Sequence, residues 1–190
     1  MKYPNGIKQQ NTNKNNIKYD NRGMTLEKDL NDTNQYYVDM NKAFIYKKPT
    51  PIQITKVDYP SRSHAIIKEA FFKEPSTTDY NGLYKGKYID FEAKETNSKT
   101  SFPLDNIHSH QIKHLENIHN NGGICFIIVR FNKLNATYIL MAKDFLNFLK
   151  ENERKSIPIK YFEENAYLIE EKYIPRLDYL KIIDEILGGA

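Results

Sequence analysis

Cysteine is almost absent from this chain: Cys125 is the only one in 190 residues. That excludes an internal disulfide framework and suits a reducing compartment. Cys125 lies within the apolar run Ile124-Cys125-Phe126-Ile127-Ile128-Val129, so it reads as a core residue and not as a nucleophile. No apolar run approaches the roughly 20 residues that a membrane span requires. The first residues also lack the apolar stretch of a signal peptide, so a cytoplasmic location is expected. There is no glycine-rich phosphate loop and no Gly-x-Ser-x-Gly elbow, which leaves P-loop enzymes and serine hydrolases unsupported. No internal repeat is visible. His108, His110, His114 and His119 crowd one stretch, with His110 and His114 four apart. No Glu follows the first of that pair, so the zinc-protease pattern is missing and solvent-facing or DNA-facing histidines are expected.

What charge there is falls unevenly. The net charge is +4. Residues 1–22 hold five Lys/Arg against one Asp, and residues 42–73 hold seven against two acids. Residues 144–190 reverse the balance, with seven against ten. Two basic segments on a near-neutral or acidic body suit a polyanionic partner held by particular elements; a solvated face is the plainer reading of the same runs.

Residues 1–20 are rich in Asn, Lys and Gln and nearly devoid of apolar side chains, the composition of a disordered basic tail. The remainder, 21–190, has the length of a single domain with a sizeable core. A helix is expected from about Met24 to Tyr37, with Leu26, Leu30, Thr33 and Tyr37 on one face and Glu27 in its first turn, where the helix dipole favours an acid. A strand-like run at Ala43–Tyr46 precedes the Pro49-Thr50-Pro51 break. From Ile52 to Phe72 alternation is weak, Pro60 interrupts it, and Lys56, Arg62, His64, Lys68 and Lys73 are spread along it. This reads as an extended, basic, two-legged projection, a stalk at about 45–73. A helix over about Asp105–Asn120 stops at Gly122-Gly123. Strands follow at Ile124–Phe131 and Ala136–Met141, then a helix at Lys143–Lys150, an irregular acidic segment, and a final helix opened by Pro175. That order predicts an α/β fold, a mixed β-sheet flanked by helices.

The chemistry concentrates at residues 77–94. Lys85-Gly86 is a turn centre, and Tyr88 to Lys94 alternates polar with apolar. An even-length loop centred there sets Asp79 opposite Glu92 on the same face, with Cβ atoms roughly 5 Å apart. Lys94 shares that face. Two facing carboxylates repel unless a cation lies between them, and a lysine beside such a cation can hold a phosphate or a hydroxide. That outlines a nuclease site. A register slip of one residue would move Glu92 and Lys94 to the other face, leaving a surface hairpin with solvated charges.

Gln111 takes a core-facing slot in the 105–120 helix, in phase with Ile107, Leu115 and Ile118. A buried amide needs partners, which a metal shell or its water would supply; a backbone hydrogen bond at the edge of the face would serve too. Thr77 shares the face of Asp79 if the strand begins that early. An oxygen donor set with no Cys or His cluster at ligand spacing points to Mg²⁺, with Mn²⁺ as a substitute, over Zn²⁺.

A wider set of motifs adds to this reading: Asn21-Arg22-Gly23-Met24-Thr25-Leu26-Glu27, Lys47-Lys48-Pro49-Thr50-Pro51, Thr77-Thr78-Asp79-Tyr80-Asn81-Gly82, Tyr88-Ile89-Asp90-Phe91-Glu92-Ala93-Lys94-Glu95-Thr96 and Pro175-Arg176-Leu177-Asp178-Tyr179. Together they resemble the RecU family of bacterial Holliday-junction resolvases, within the PD-(D/E)xK nuclease superfamily. The resemblance spans essentially the whole chain. It implies a restriction-endonuclease-like core in which Thr77, Asp79, Glu92 and Gln111 coordinate Mg²⁺. Lys94 is implied to stabilise the transition state, and Glu27 to complete the acidic site. It further implies a homodimer that nicks opposed strands of a four-way DNA junction in recombination and repair, with the stalk entering the junction. A recombinase filament and a branch-migration motor are the implied partners. Arg22, Lys47, Lys48, Lys56, Arg62, Lys68 and Lys73 are the DNA-binding candidates. The alternatives are a non-catalytic junction-binding or strand-annealing protein, and a related nuclease acting on linear duplex.

Overall fold

The computed structural model describes residues 25–73 and 77–188. The expected tail at 1–20 and Arg22 lie outside the described residues, as does the side chain of Arg62. The first half of the chain forms helix α1 (Leu26–Asp39) and strands β1 (Phe44–Lys47), β2 (Ile52–Asp58), β3 (Ile66–Phe72), β4 (Tyr80–Tyr84), β5 (Lys87–Thr96) and β6 (Ser101–Pro103). The second half adds α2 (Ser109–Asn120), β7 (Ile124–Phe131), β8 (Ala136–Met141), α3 (Ala142–Glu151), β9 (Ser156–Pro158), α4 (Ile159–Asn165), β10 (Tyr167–Ile169) and α5 (Tyr179–Ile186). Among the described residues no helix is long and apolar enough to cross a membrane.

Six strands form one mixed sheet in the order β1-β4-β5-β7-β8-β10. Its single parallel pair is β5 with β7, joined through α2; the other neighbours are antiparallel. Lys85 and Gly86 have φ of 48° and 75°, the two-residue turn whose twist matches the strands it joins. That turn fixes Tyr80 opposite Phe91. Tyr80, Phe91 and Phe126 stack in a row across β4, β5 and β7, with successive ring centroids 4.8 Å apart, which adds side-chain weight to this register. On β4, Gly82 is required by close approach, because a Cβ there would stand 2.1 Å from the Phe44 carbonyl oxygen of β1.

The two faces of the sheet have separate cores. Ile89, Phe91, Phe126, Ile128 and Ile139 pack under α1 and α5. Cys125, Ile127, Val129 and Leu140 pack under α2 and α3. Both faces of β7 are covered, so all eight of its residues are buried. On β5 the second face is different: Asp90, Glu92 and Lys94 occupy it in place of apolar side chains.

Helix α1 is capped by Thr25, whose hydroxyl accepts from the Lys28 N–H at 3.2 Å. It is tied to the body by buried charge. Asp29, with no exposure, meets Arg130 at 2.7 Å and Arg176 at 3.2 Å; Glu171 lies 3.1 Å from Arg176. Strands β2 and β3 pair only with each other, and every side chain described on them is exposed.

Several boundaries differ from expectation. The middle helix begins at Ser109, because residues 104–106 form a 3₁₀ turn and His108 is the cap. The last helix begins at Tyr179, four residues beyond Pro175, because Leu177 is held in a bridge to Glu171. The segment read as irregular contains β9, α4 and β10, elements too short for a hydrophobic period to declare itself.

Candidate active site

The hairpin delivers Asp79 to Glu92 in the expected register. The Asp79 N–H donates to Glu92 Oε2 at 3.1 Å, and the Asp79 carbonyl accepts from the Lys48 N–H at 2.8 Å. Glu92 has no solvent exposure. Its Oε1 lies 2.5 Å from Lys94 Nζ, a close ion pair. Burial, and then the neighbouring Asp79 carboxylate, push the Glu92 carboxyl up to about 7; Lys94 pulls against both. Tyr80, beside the pair, is raised too, by burial first and then by Glu27, Asp79 and Glu92. The site thus sets two carboxylates side by side, with the Lys94 ammonium against one of them.

In front of the pair is a cavity of about 170 Å³ lined by Glu27, Lys47, Asp79, Lys94 and Glu95, with Leu26, Tyr80 and Ala93. Glu27 and Lys47 reach it from α1 and β1 and pair with each other at 2.6 Å. Glu95 accepts from the Leu26 N–H at 3.0 Å, which fixes the start of α1 over the end of β5. A larger groove of about 740 Å³ lies between α1 and residues 172–176, away from these groups.

The oxygen donors fit a hard divalent cation. Glu92 is buried, with its oxygens met by Lys94 and the Asp79 N–H, and Asp79 adds a second carboxylate. Among the described residues no three His, Cys, Asp or Glu side chains gather at one point. One or two carboxylates, completed by water and phosphate oxygens, is the pattern suited to Mg²⁺ or Mn²⁺.

The family model described as RecU, Recombination protein U, matches residues 21–185. The chain belongs to the RecU family. The Holliday junction resolvase RecU of Geobacillus thermodenitrificans is 56% identical over 171 residues, covering 88% of this chain and 85% of that one. Its counterpart from Bacillus cytotoxicus is 50% identical over 195 aligned positions, 98% of each chain. Among solved structures, the Holliday junction resolvase Hjc of Archaeoglobus fulgidus superposes with a TM-score of 0.39 at 10% identity, over 68% of this chain and 88% of that one, a likeness too remote to argue from.

In this RecU chain the expected residues are not all gathered in one place. Asp79, Glu92, Lys94 and Glu27 converge. Thr77 lies outside β4, which starts at Tyr80, so strand alternation does not carry it to the face of Asp79; its hydroxyl donates to the Thr78 carbonyl at 3.4 Å. Gln111 is buried as expected, but its Oε1 accepts from the His108 N–H at 3.0 Å, closing a capping box at the start of α2. Lys56, Lys68 and Lys73 are exposed on the projection, and Lys68 pairs with Asp58 at 2.8 Å.

Lys48 is not on the basic surface. Its ammonium turns inward to Asp90 and Thr78, each at 2.9 Å, because a carboxylate with no exposure is the stronger demand on it. His114 also faces inward, with Nε2 3.1 Å from Asp90, whereas His108 and His119 are exposed as expected. Asp90 itself went unremarked in the sequence. The signal available was its shared parity with Glu92 and Lys94 on a strand face that should have been apolar.

Proposed function

We propose that this RecU chain is a Mg²⁺-dependent endonuclease that resolves Holliday junctions by nicking opposed strands, and that it works as a homodimer. The observation that carries the reading is the Asp79–Glu92 pair with Lys94 against Glu92, opening into a cavity at the foot of a basic projection. Asp79 and Glu92 would hold the cation, with Thr77 and Gln111 as its further candidate ligands. When bound, the cation lowers the pKa of a water and draws charge from the scissile phosphate.

The chain's own groups do the rest. Lys94 pulls the Glu92 carboxyl toward its ionised form, against burial and Asp79, and faces the charge that develops as the phosphodiester is attacked. Glu27 holds Lys47 at the rim and adds to the acidic side of the cavity. Lys56, Arg62, Lys68 and Lys73 supply backbone contacts to the junction, a sequence-independent term that weakens with salt.

Support for the dimer comes from β2 and β3. Ile52, Ile54, Val57, Ile66, Ile67, Phe71 and Phe72 are all exposed on this hairpin, Phe72 at 82%. A two-stranded hairpin alone is marginal in water, and an apolar patch of this kind calls for a cover. A second copy provides it, and two-fold symmetry supplies the second cut. Sedimentation equilibrium is expected to give a dimer at micromolar concentration.

The test is cleavage of a mobile four-way junction beside linear duplex, with Mg²⁺ and then with EDTA. Paired nicks on the junction alone, and only with Mg²⁺, are expected. Asp79→Ala is expected to lose cleavage by more than about a thousandfold and to keep junction affinity within about twofold. Normal cutting by that variant would sink the metal-site assignment, and binding without cutting by the unaltered chain would identify an annealing protein.

A further inference from the structure

One buried carboxylate stands behind the candidate site and takes four donors from four segments. Asp90 Oδ2 accepts from Lys48 Nζ at 2.9 Å, from the Tyr88 hydroxyl at 2.9 Å and from His114 Nε2 at 3.1 Å. Asp90 Oδ1 accepts from the Thr78 hydroxyl. A carboxylate can only accept, so His114 carries its proton on Nε2. Asp90 and Thr78 are both buried, and Lys48 and His114 are mostly so.

What these donors share is the company they keep. Thr78 is the residue before Asp79. Lys48 holds the Asp79 carbonyl through its own N–H. Asp90 precedes Glu92 by two positions on the same strand face. His114 lies on α2, which runs back against β5 because it joins the parallel strands β5 and β7. With His114 over Asp90, the residue one turn earlier on α2 stands at the level of the next position on that face of β5. That residue is Gln111, and that position is Glu92. All three segments that carry Asp79, Glu92 and Gln111 are therefore tied to one carboxylate.

The geometry points to Asp90 as the positioning residue of the metal site, an assignment that rests on the metal-site reading above. It sets the separation of Asp79 from Glu92 through Thr78 and Lys48, and the height of α2 through His114. Asp90 touches neither cation nor substrate in this role. It acts through the segments it holds, as the outer partners of metal ligands do elsewhere.

Direct metal binding separates this from a purely structural role. Mn²⁺ is titrated calorimetrically into the DNA-free protein. Thr78→Val keeps the volume of the side chain and deletes its hydroxyl while the three donors on Oδ2 remain. It is expected to weaken Mn²⁺ binding by about tenfold, with Thr78→Ser restored to within about twofold of the unaltered chain. Lys48→Met is the second variant and is expected to lose a similar factor. Far-UV circular dichroism and thermal melts are recorded on each before metal is added.

Mn²⁺ affinity unchanged in both Thr78→Val and Lys48→Met would overturn the positioning role. So would loss of the fold in both, which would assign the network to stability alone. Failure of the unaltered chain to bind Mn²⁺ is a different result, because it removes the metal site itself and leaves Asp90 nothing to position.

Discussion

Glu92 keeps its carboxylate where water does not reach, and that has a measurable cost. An ordinary glutamate titrates near 4.5, and here burial and Asp79 raise the group to about 7. Between those values the folded, metal-free protein holds a proton that the unfolded chain has lost. Its stability is therefore greatest below about pH 4.5, as far as this group is concerned, and falls as pH climbs through 7, by about 3 kcal/mol in all. Urea melts of chelator-treated protein at pH 5 and pH 8 are expected to show that fall, and Glu92→Gln to flatten it while losing cleavage. A divalent cation, which needs the ionised form, is expected to recover the lost stability at pH 8 in the unaltered chain and not in Glu92→Gln. The pairing behind this was legible in the sequence, since a turn at Lys85-Gly86 leaves one register that sets acid against acid. The inward turn of Lys48 and His114 was not. Parity tells which face of a strand a residue is on, whereas the destination of a long side chain depends on which buried charge lies within reach.

Among the elements, the separation of the β2–β3 hairpin from the core was legible in the sequence: weak alternation, a proline and scattered lysines leave no single face that the chain's own core can take, and the apolar side chains it carries stay exposed. It contributes no residue to either core. The core is therefore indifferent to its surface charge, and binding is not. Lys56→Ala and Lys73→Ala are each expected to reduce the slope of log affinity against log salt by about 1, with thermal stability unchanged. Lys68→Ala is expected to change it less, because Lys68 already shares its charge with Asp58 at 2.8 Å. Filter binding of a four-way junction across a salt series reads all three. The long strands β5, β7 and β8 were equally plain in the sequence, each carrying enough residues to show its pattern. The three-residue strands β6, β9 and β10 were not, for they exist only through the partners they meet.

At the scale of the molecule, the first helix is finished by the last segment of chain. Thr33 accepts from the Leu177 N–H at 3.2 Å, Tyr37 donates to Asp178 at 2.8 Å, Tyr179 donates to Asn34, and Arg176 meets Asp29. These pairs are separated by more than 140 residues, contacts of the kind that close late in folding. Ending the chain at residue 170 leaves Asp29 a buried charge short of Arg176 and uncovers the core under α1. Such a truncation is expected to lose cooperative melting and junction cleavage together, read by circular dichroism and by the four-way junction assay. A nascent chain on the ribosome is in the same position as that truncation. Leu26 and Glu27, which wall the cavity in front of Asp79, are held at the start of α1 by Glu95 and Lys47, while the rest of that helix is received by residues 176–180. The wall of the candidate site thereby waits on a segment that lies far along the chain from the site's own acids.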